Sequence, residues 1–516
     1  MIKQPVKVRT AVFAVSLGLS EWFLWRHAFW RDEAQGIMVA VHSPTIPALL
    51  GHMGYEGTPG LWYFLLWLGR SWPPWWDAKL WTAVITAATL YVLFYLLELP
   101  WPMAFLYALG AQLATYSFMS RSYGLSVLLF LLFAHCEKRW RRQSGRGANI
   151  ALSVVLFLIT QTNVHSVLIG AGIFCYLAGE NLLKRRPVSW LPVASLGAGA
   201  MAAVLQVLPP ADLGPWAPWY TGSVALRCPL EAVWLVLRMI LPFFGPVGSP
   251  GVGNVFGGPW LYGLLQDGAR ASAPAVWRFA MAVVIVVLLV PIFYLFFRYV
   301  RRSGRRAVPA VAALAVPVAL LAALATLKYP LEIEHVDLLV AYALALYAVA
   351  RPARGETTVL AWGLLGVQFL GSLNAVYAAA AVPYDATPAV VQWMGSHGYG
   401  TYLTSDDVAV FPDPSAATLT LYGGLPQGAY AVTAGRFETY TPWDTKEPLD
   451  PFAPPEPELP SRLPGATGPY LLLTYYPLGR LGHDTVHCVL LARFPDGPWV
   501  HWKGSPGAFL YLVHGW

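Results

Sequence analysis

The chain has 516 residues, of which 57% are hydrophobic and 12% charged, against about 25% charged in soluble domains. Lys plus Arg (34) exceeds Asp plus Glu (27), a formal net charge of +7, and the mean hydropathy is +0.51. These values exclude a disordered chain, a collagen-like chain and an ordinary soluble enzyme, and indicate a polytopic α-helical membrane protein.

A bilayer core is crossed by about 20 mostly apolar residues in a helix. In chain order, about eleven segments meet that pattern: roughly 9–28, 77–98, 102–119, 123–137, 148–164, 166–183, 190–208, 277–298, 307–327, 336–350 and 358–381. No signal-peptide cleavage site follows the first, which reads as a retained helix. The Trp (23), Tyr (26) and Phe (24) content suits two membrane interfaces. Four Cys in so long a chain make no disulfide framework.

Basic residues collect between spans: Lys138-Arg139, Arg141-Arg142 and Arg146; Lys184-Arg185-Arg186; Arg298, Arg301-Arg302 and Arg305-Arg306; Arg351 and Arg354. Lys3, Lys7 and Arg9 precede the first span. With a cytoplasmic N-terminus, eleven alternating spans leave every cluster on the cytoplasmic side, as the cost of translocating Lys and Arg requires. The positive charge is therefore a matter of topology, not of nucleic-acid binding. The connection near Glu98–Pro102 carries no base of its own.

This parity defines a transmembrane unit over 1–382. It places three regions outside: 29–76, the Pro/Gly/Trp-rich 209–276, and a tail, 383–516, expected to be an extracytoplasmic α/β or α+β domain. In the tail, Tyr470–Leu473 and Val489–Phe494 read as strands, and Thr387–Met394 as a helix. His483-Asp484-x-x-His487 has the residue types of a zinc site. No distant third partner is evident, so no metal ligand is assigned and a divalent ion is left open.

The first outer region holds Arg31-Asp32-Glu33-Ala34-Gln35. From Ala34, apolar residues at 34, 37, 38 and 41 predict a short amphipathic helix along the membrane surface. Asp32 and Gln35 resemble a capping box, and a cap is one reading of Asp32. Two adjacent acids at a membrane edge are more than a cap needs. They point about 100° apart, so only one faces a given substrate atom. Further on, Gly57-Thr58-Pro59-Gly60 predicts a turn into a short apolar helix, capped by Thr58 and ending near Arg70. It is too short to cross and reads as re-entrant or interfacial.

An Asp-Glu-Ala after the first span, followed by Glu56-Gly57-Thr58-Pro59-Gly60-Leu61-Trp62-Tyr63, resembles the integral membrane glycosyltransferases of the GT-C superfamily. The nearest branch includes protein O-mannosyltransferases and the lipid A aminoarabinose transferase. Ser120-Arg121-Ser122-Tyr123 looks like that family's Arg-x-Tyr segment, and Thr162-Asn163-Val164-His165 like its Thr/His outer turn. Two departures stand out. Gly60 occupies the place of a usual second Pro, and Glu334-His335 that of an Arg-bearing segment.

The resemblance implies an inverting transfer of a hexose or pentose from a polyprenyl-phosphate donor to a hydroxyl of a glycan, lipid or protein acceptor, at the outer face of the inner or plasma membrane. It implies no nucleic-acid partner. The residues fit that chemistry. A phosphate leaving group needs no protonation, unlike the alkoxide of glycoside hydrolysis. One base suffices for the attacking hydroxyl, and cations hold the departing phosphate.

Asp32 is the candidate base, with Glu33 as second choice or orienting partner. Arg31, Glu56, Arg121, Tyr123, His165, Lys328 and His335 are candidate donor-phosphate or substrate contacts. Each has a plainer reading. Arg121 beside Tyr123 suits headgroup snorkelling, His165 an interfacial histidine, and Lys328-Tyr329 an anchor pair. Arg31 suits a local ion pair with Asp32, Glu56 loop support, and Glu332, Glu334, His335 and Asp337 a solvated cluster. A polymerase or ligase using a pyrophosphate-linked donor, a lipid or sugar transporter and a non-catalytic scaffold are the rival functions.

Overall fold

The computed structural model describes residues 6–27, 33, 36–37, 39–40, 43–72, 74–97, 99–143, 145–184, 190–208, 224–240, 294–327, 333–350, 356–381, 392–393 and 396–397. It also describes the strand residues of a sheet between 429 and 513. The described chain is mostly helical. The helices are α1 (Val6–Arg26), α2 (Ile46–Glu56), α3 (Leu61–Leu68), α4 (Pro74–Tyr91), α5 (Trp101–Tyr107), α6 (Ser122–Gln143) and α7 (Arg146–Thr160). There follow α8 (Val164–Leu183), α9 (Trp190–Val207), α10 (Val224–Ile240), α11 (294–303), α12 (Val308–Leu327), α13 (Ile333–Ala350) and α14 (Glu356–Ala381). π-Helical segments extend two of them, Val92–Leu96 after α4 and Ala108–Tyr116 after α5.

Ten of the eleven apolar segments read from the sequence coincide with helices; most of 277–298 lies outside the described residues. Among the described residues, four helices are long and apolar enough to cross a membrane: Trp76–Leu96, Val164–Leu183, Trp190–Val207 and Val308–Leu327. The apolar helices Arg146–Thr160, His335–Ala350 and Thr358–Leu370 are shorter.

Glycines let neighbouring helices approach closely, as membrane helices require when lipid is as apolar as their own side chains. Gly172 on α8 lies against Ala313 and Pro317 of α12, and Gly179 against Pro309. Gly199 on α9 lies against Thr160 and Phe157 of α7.

Polar contacts among the helices define two ends of the bundle. At one end, Arg9 Nη2 donates to Leu99 O (3.0 Å) and Lys138 Nζ to Leu97 O (2.7 Å). These are carbonyls just past the α4 and π run, where helical partners are missing and the dipole favours cations. The loop without a base of its own is thus covered by bases from α1 and α6. At the same end Arg141 pairs with Glu137 and Glu180, Lys184 pairs with Glu180, and Arg141 Nη2 donates to the Tyr176 hydroxyl (3.2 Å).

The expected short surface helix after the first span is helical at 33, 36–37 and 39–40. Glu33, Ile37, Val39 and Ala40 are all buried, so it is enclosed on more than one face rather than lying half-exposed. A helix not foreseen, α2, follows. Thr45 Oγ1 accepts the Ala48 N–H at its start (3.3 Å). Gly57, at φ 60°, ends it in the left-handed conformation.

The short apolar helix at Leu61–Leu68 forms, but Thr58 does not cap it, since its hydroxyl is directed to Glu56 O. Gly60 takes the cap position. Its N–H donates to Gln206 Oε1 (2.9 Å), while the Leu61 N–H donates to Gln161 O (3.1 Å). A second proline at 60 would lack that N–H.

In the tail, five strands form an antiparallel sheet in the order β2-β1-β3-β5-β4. They are β1 (Ala429–Thr433), β2 (Arg436–Phe437), β3 (Tyr470–Thr474), β4 (Cys488–Phe494) and β5 (Ala508–Val513). Both strands read from the sequence are among them. The register pairs Leu472 with Tyr511, and β4 shifts against β5 between Leu490 and Ala492. Trp393 and His397 stack at 4.2 Å. The rest of the expected Thr387–Met394 helix lies outside the described residues.

Candidate functional site

At the other end of the bundle, five of the residues singled out from the sequence meet. Glu33 is 1% exposed. Its Oε2 accepts from the His27 Nε2–H (2.7 Å), and its Oε1 accepts from the Ser120 backbone N–H (2.5 Å). The carboxylate ties the loop after the first span to the end of α1 and to the approach to α6. The next residue, Arg121, is half-buried and places its guanidinium 5.0 Å from the Tyr123 ring centroid. The Tyr123 hydroxyl hydrogen-bonds His335 Nε2 (2.8 Å). His335 in turn stacks on His165, with ring centroids 4.0 Å apart and 17° between planes. A continuous run of contacts therefore leads from Glu33 through Ser120 and Arg121 to Tyr123, His335 and His165.

Local sequence explains the placement. Asn163 Oδ1 accepts the Ser166 N–H (2.8 Å), which starts α8 with His165 in its first turn. Ser126 joins the two sides, its hydroxyl donating to Thr162 Oγ1 (2.8 Å) and accepting from Asn163 Nδ2 (2.8 Å) and the Ser166 hydroxyl (3.0 Å). Arg121 precedes α6 by one residue, His165 is the second residue of α8, and His335 is the third of α13. Three helix N-termini, each a positive dipole end, thus converge beside a guanidinium and two imidazoles. Such an arrangement favours an anion.

A buried carboxylate that accepts a hydrogen bond on each oxygen is held in place. Glu33 in this geometry is suited to anchoring its loop. His27 was not singled out from the sequence. A His five residues before the Asp-Glu pair, at the end of the same span, was the available signal. Glu56 ends α2, where its Oε2 accepts from the Tyr63 hydroxyl (2.6 Å). Arg31, Asp32 and Lys328 lie outside the described residues, as do Tyr329, Glu332, His483, Asp484, His487 and the 209–223 and 241–276 parts of the second outer region. Among the described residues no three His, Cys, Asp or Glu side chains gather into a metal-binding group.

Comparison of the chain with protein-family models, curated proteins and solved structures finds no match.

Proposed function

We propose that the protein is an integral membrane glycosyltransferase of the GT-C type. In this reading its eleven spans put the Glu33 end of the bundle and the tail on the extracytoplasmic face. The observation that carries the proposal is the juxtaposition at one end of the helices. A loop bearing two consecutive acids is fixed by Glu33 within one residue of Arg121, and Arg121 adjoins the Tyr123–His335–His165 group.

The donor is a polyprenyl-phosphate sugar. Its phosphate is received by Arg121 and the converging helix N-termini, whose fixed dipoles need no rearrangement as charge develops on the leaving oxygen. Asp32, next in sequence to the anchored Glu33, takes the proton of the acceptor hydroxyl. The acceptor oxygen forms the new bond to the anomeric carbon on the face opposite the phosphate. The old carbon–oxygen bond breaks, and its electron pair leaves on the phosphate. One displacement inverts the anomeric configuration. Glu33 and His27 hold the loop that presents the base.

The test uses purified protein in lipid nanodiscs with a panel of radiolabelled polyprenyl-phosphate hexoses and pentoses, following release of polyprenyl phosphate and capture of sugar by an acceptor fraction. Wild type releases the carrier, and Asp32→Asn does not while still inserting and melting like wild type. Undiminished turnover in Asp32→Asn removes the base assignment. Turnover only with oligosaccharide-pyrophosphate donors replaces the proposal with a polymerase or ligase. Movement of lipid or sugar across vesicles without a covalent product replaces it with a transporter.

A further inference from the structure

The π segment Ala108–Tyr116 and the stretch that follows it touch the candidate site from behind. Thr115 Oγ1 donates to Asp337 Oδ2 (2.8 Å), with both residues buried. The Ser20 hydroxyl donates to Ser117 Oγ (3.1 Å). Ser120 gives its N–H to Glu33, and its hydroxyl accepts from Thr82 Oγ1 (3.0 Å). Three residues within a stretch of six, Thr115, Ser117 and Ser120, thus fasten α1, α4, α13 and the Asp-Glu loop.

The unusual helix is what aims them. One extra residue in an α-helix turns everything beyond it by about 100°. Here the helix leaves α geometry after Tyr107, and Gly110 breaks it where the α14 backbone at Phe369 lies 3.3 Å from the position of a Cβ. Thr115 emerges facing α13.

On α13, His335 and Asp337 are two residues apart, about 200° round the axis, so they occupy nearly opposite flanks. Asp337 grips Thr115 on one flank, and His335 meets Tyr123 and His165 on the other. A helix held on one flank can roll about its axis, whereas one held on both cannot.

We propose that Thr115, acting through Asp337, is a positioning residue that fixes the rotation of α13 and with it the orientation of His335 against Tyr123 and His165. The geometry stands alone, but its use in holding a donor phosphate rests on the glycosyltransferase reading. Thr115 touches no reacting atom. Its hydroxyl is needed and its methyl is not.

The experiment follows carbethoxylation of individual histidines by diethyl pyrocarbonate in the full-length protein in nanodiscs, read by peptide mass spectrometry. Thr115→Val, close in shape but without the donor, raises the rate at His335 about fivefold, the change when one buried hydrogen bond no longer opposes local opening. His135, at the opposite end of the bundle, keeps its wild-type rate. Thr115→Ser, which restores the hydroxyl, restores protection. Where Thr115→Val does not fold, Asp337→Asn weakens the same bond and exposes His335 in the same direction. An unchanged His335 rate in the folded valine variant overturns the proposal, as does an equal rise at His135. Binding of polyprenyl phosphate, read by tryptophan fluorescence on the same samples, separates the two claims. A His335 rate that responds in a protein that binds no polyprenyl phosphate upholds the alignment role and sinks the functional reading. Binding with an unresponsive His335 does the reverse.

Discussion

Replacing Glu33 separates an anchor from a base. Its two oxygens each accept a hydrogen bond in a site with 1% exposure, from His27 and from the Ser120 N–H. Bonds to a charged partner contribute about 1.5–3 kcal/mol each. Glu33→Leu removes both, so the expected loss is about 3–6 kcal/mol. Glu33→Gln keeps an acceptor for the Ser120 N–H and offers an amide N–H to a His27 ring carrying its proton on Nδ1. What it loses is the charge assistance, about half of the total, or about 1.5–3 kcal/mol. Denaturant unfolding in micelles, followed by tryptophan fluorescence and extrapolated linearly, measures both. The order expected is wild type, then Gln, then Leu. His27→Ala combined with Glu33→Leu should cost less than the two separately, because both remove the same bond. A Glu33→Leu protein within about 1 kcal/mol of wild type would mean that neither bond matters, and the anchoring argument would fail.

Four further outcomes follow, the first from the proposed function and the others from the geometry. Arg121→Lys keeps the charge but loses the planar fork, so polyprenyl-phosphate affinity should fall about tenfold in a fluorescence titration without a change in unfolding midpoint. Gly172→Ala places a methyl into Ala313 O and the Pro317 ring across the α8–α12 contact and should cost about 1–3 kcal/mol in the same unfolding assay. Gly197→Ala on α9, with open space around it, should cost nothing there. Gly60→Pro removes the N–H that Gln206 accepts and should lower stability by about 1 kcal/mol, with faster proteolysis between α2 and α3 as the local readout.

The helical membrane class and the ten helical segments that coincide with apolar runs were legible from composition and run length, because apolarity over the length of a helix is written locally; α2 and α10 were not foreseen. Arg141 and Lys184, which belong to two basic clusters far apart in sequence, share Glu180. The ends of the short helices were harder. Thr58 has the chemistry of a cap, yet Gly60 holds that place because Gln206, 146 residues away, supplies the acceptor. The Thr45 cap and the Gly57 stop of α2 were present in the sequence as Thr-x-Pro and a following glycine, and only the apolar runs around them obscured the signal.

Residue type, position at span ends and the family resemblance together singled out Glu33, Arg121, Tyr123, His165 and His335, since titratable groups at span ends are few in so apolar a chain. That His335 lies on His165, that His27 holds Glu33, and that Thr115 reaches Asp337 are matters of helix rotation and register. Rotation is set by the packing of glycine-lined faces and by one π-helical segment, and no local pattern encodes it, because a lipid-facing flank and a helix-facing flank are equally apolar.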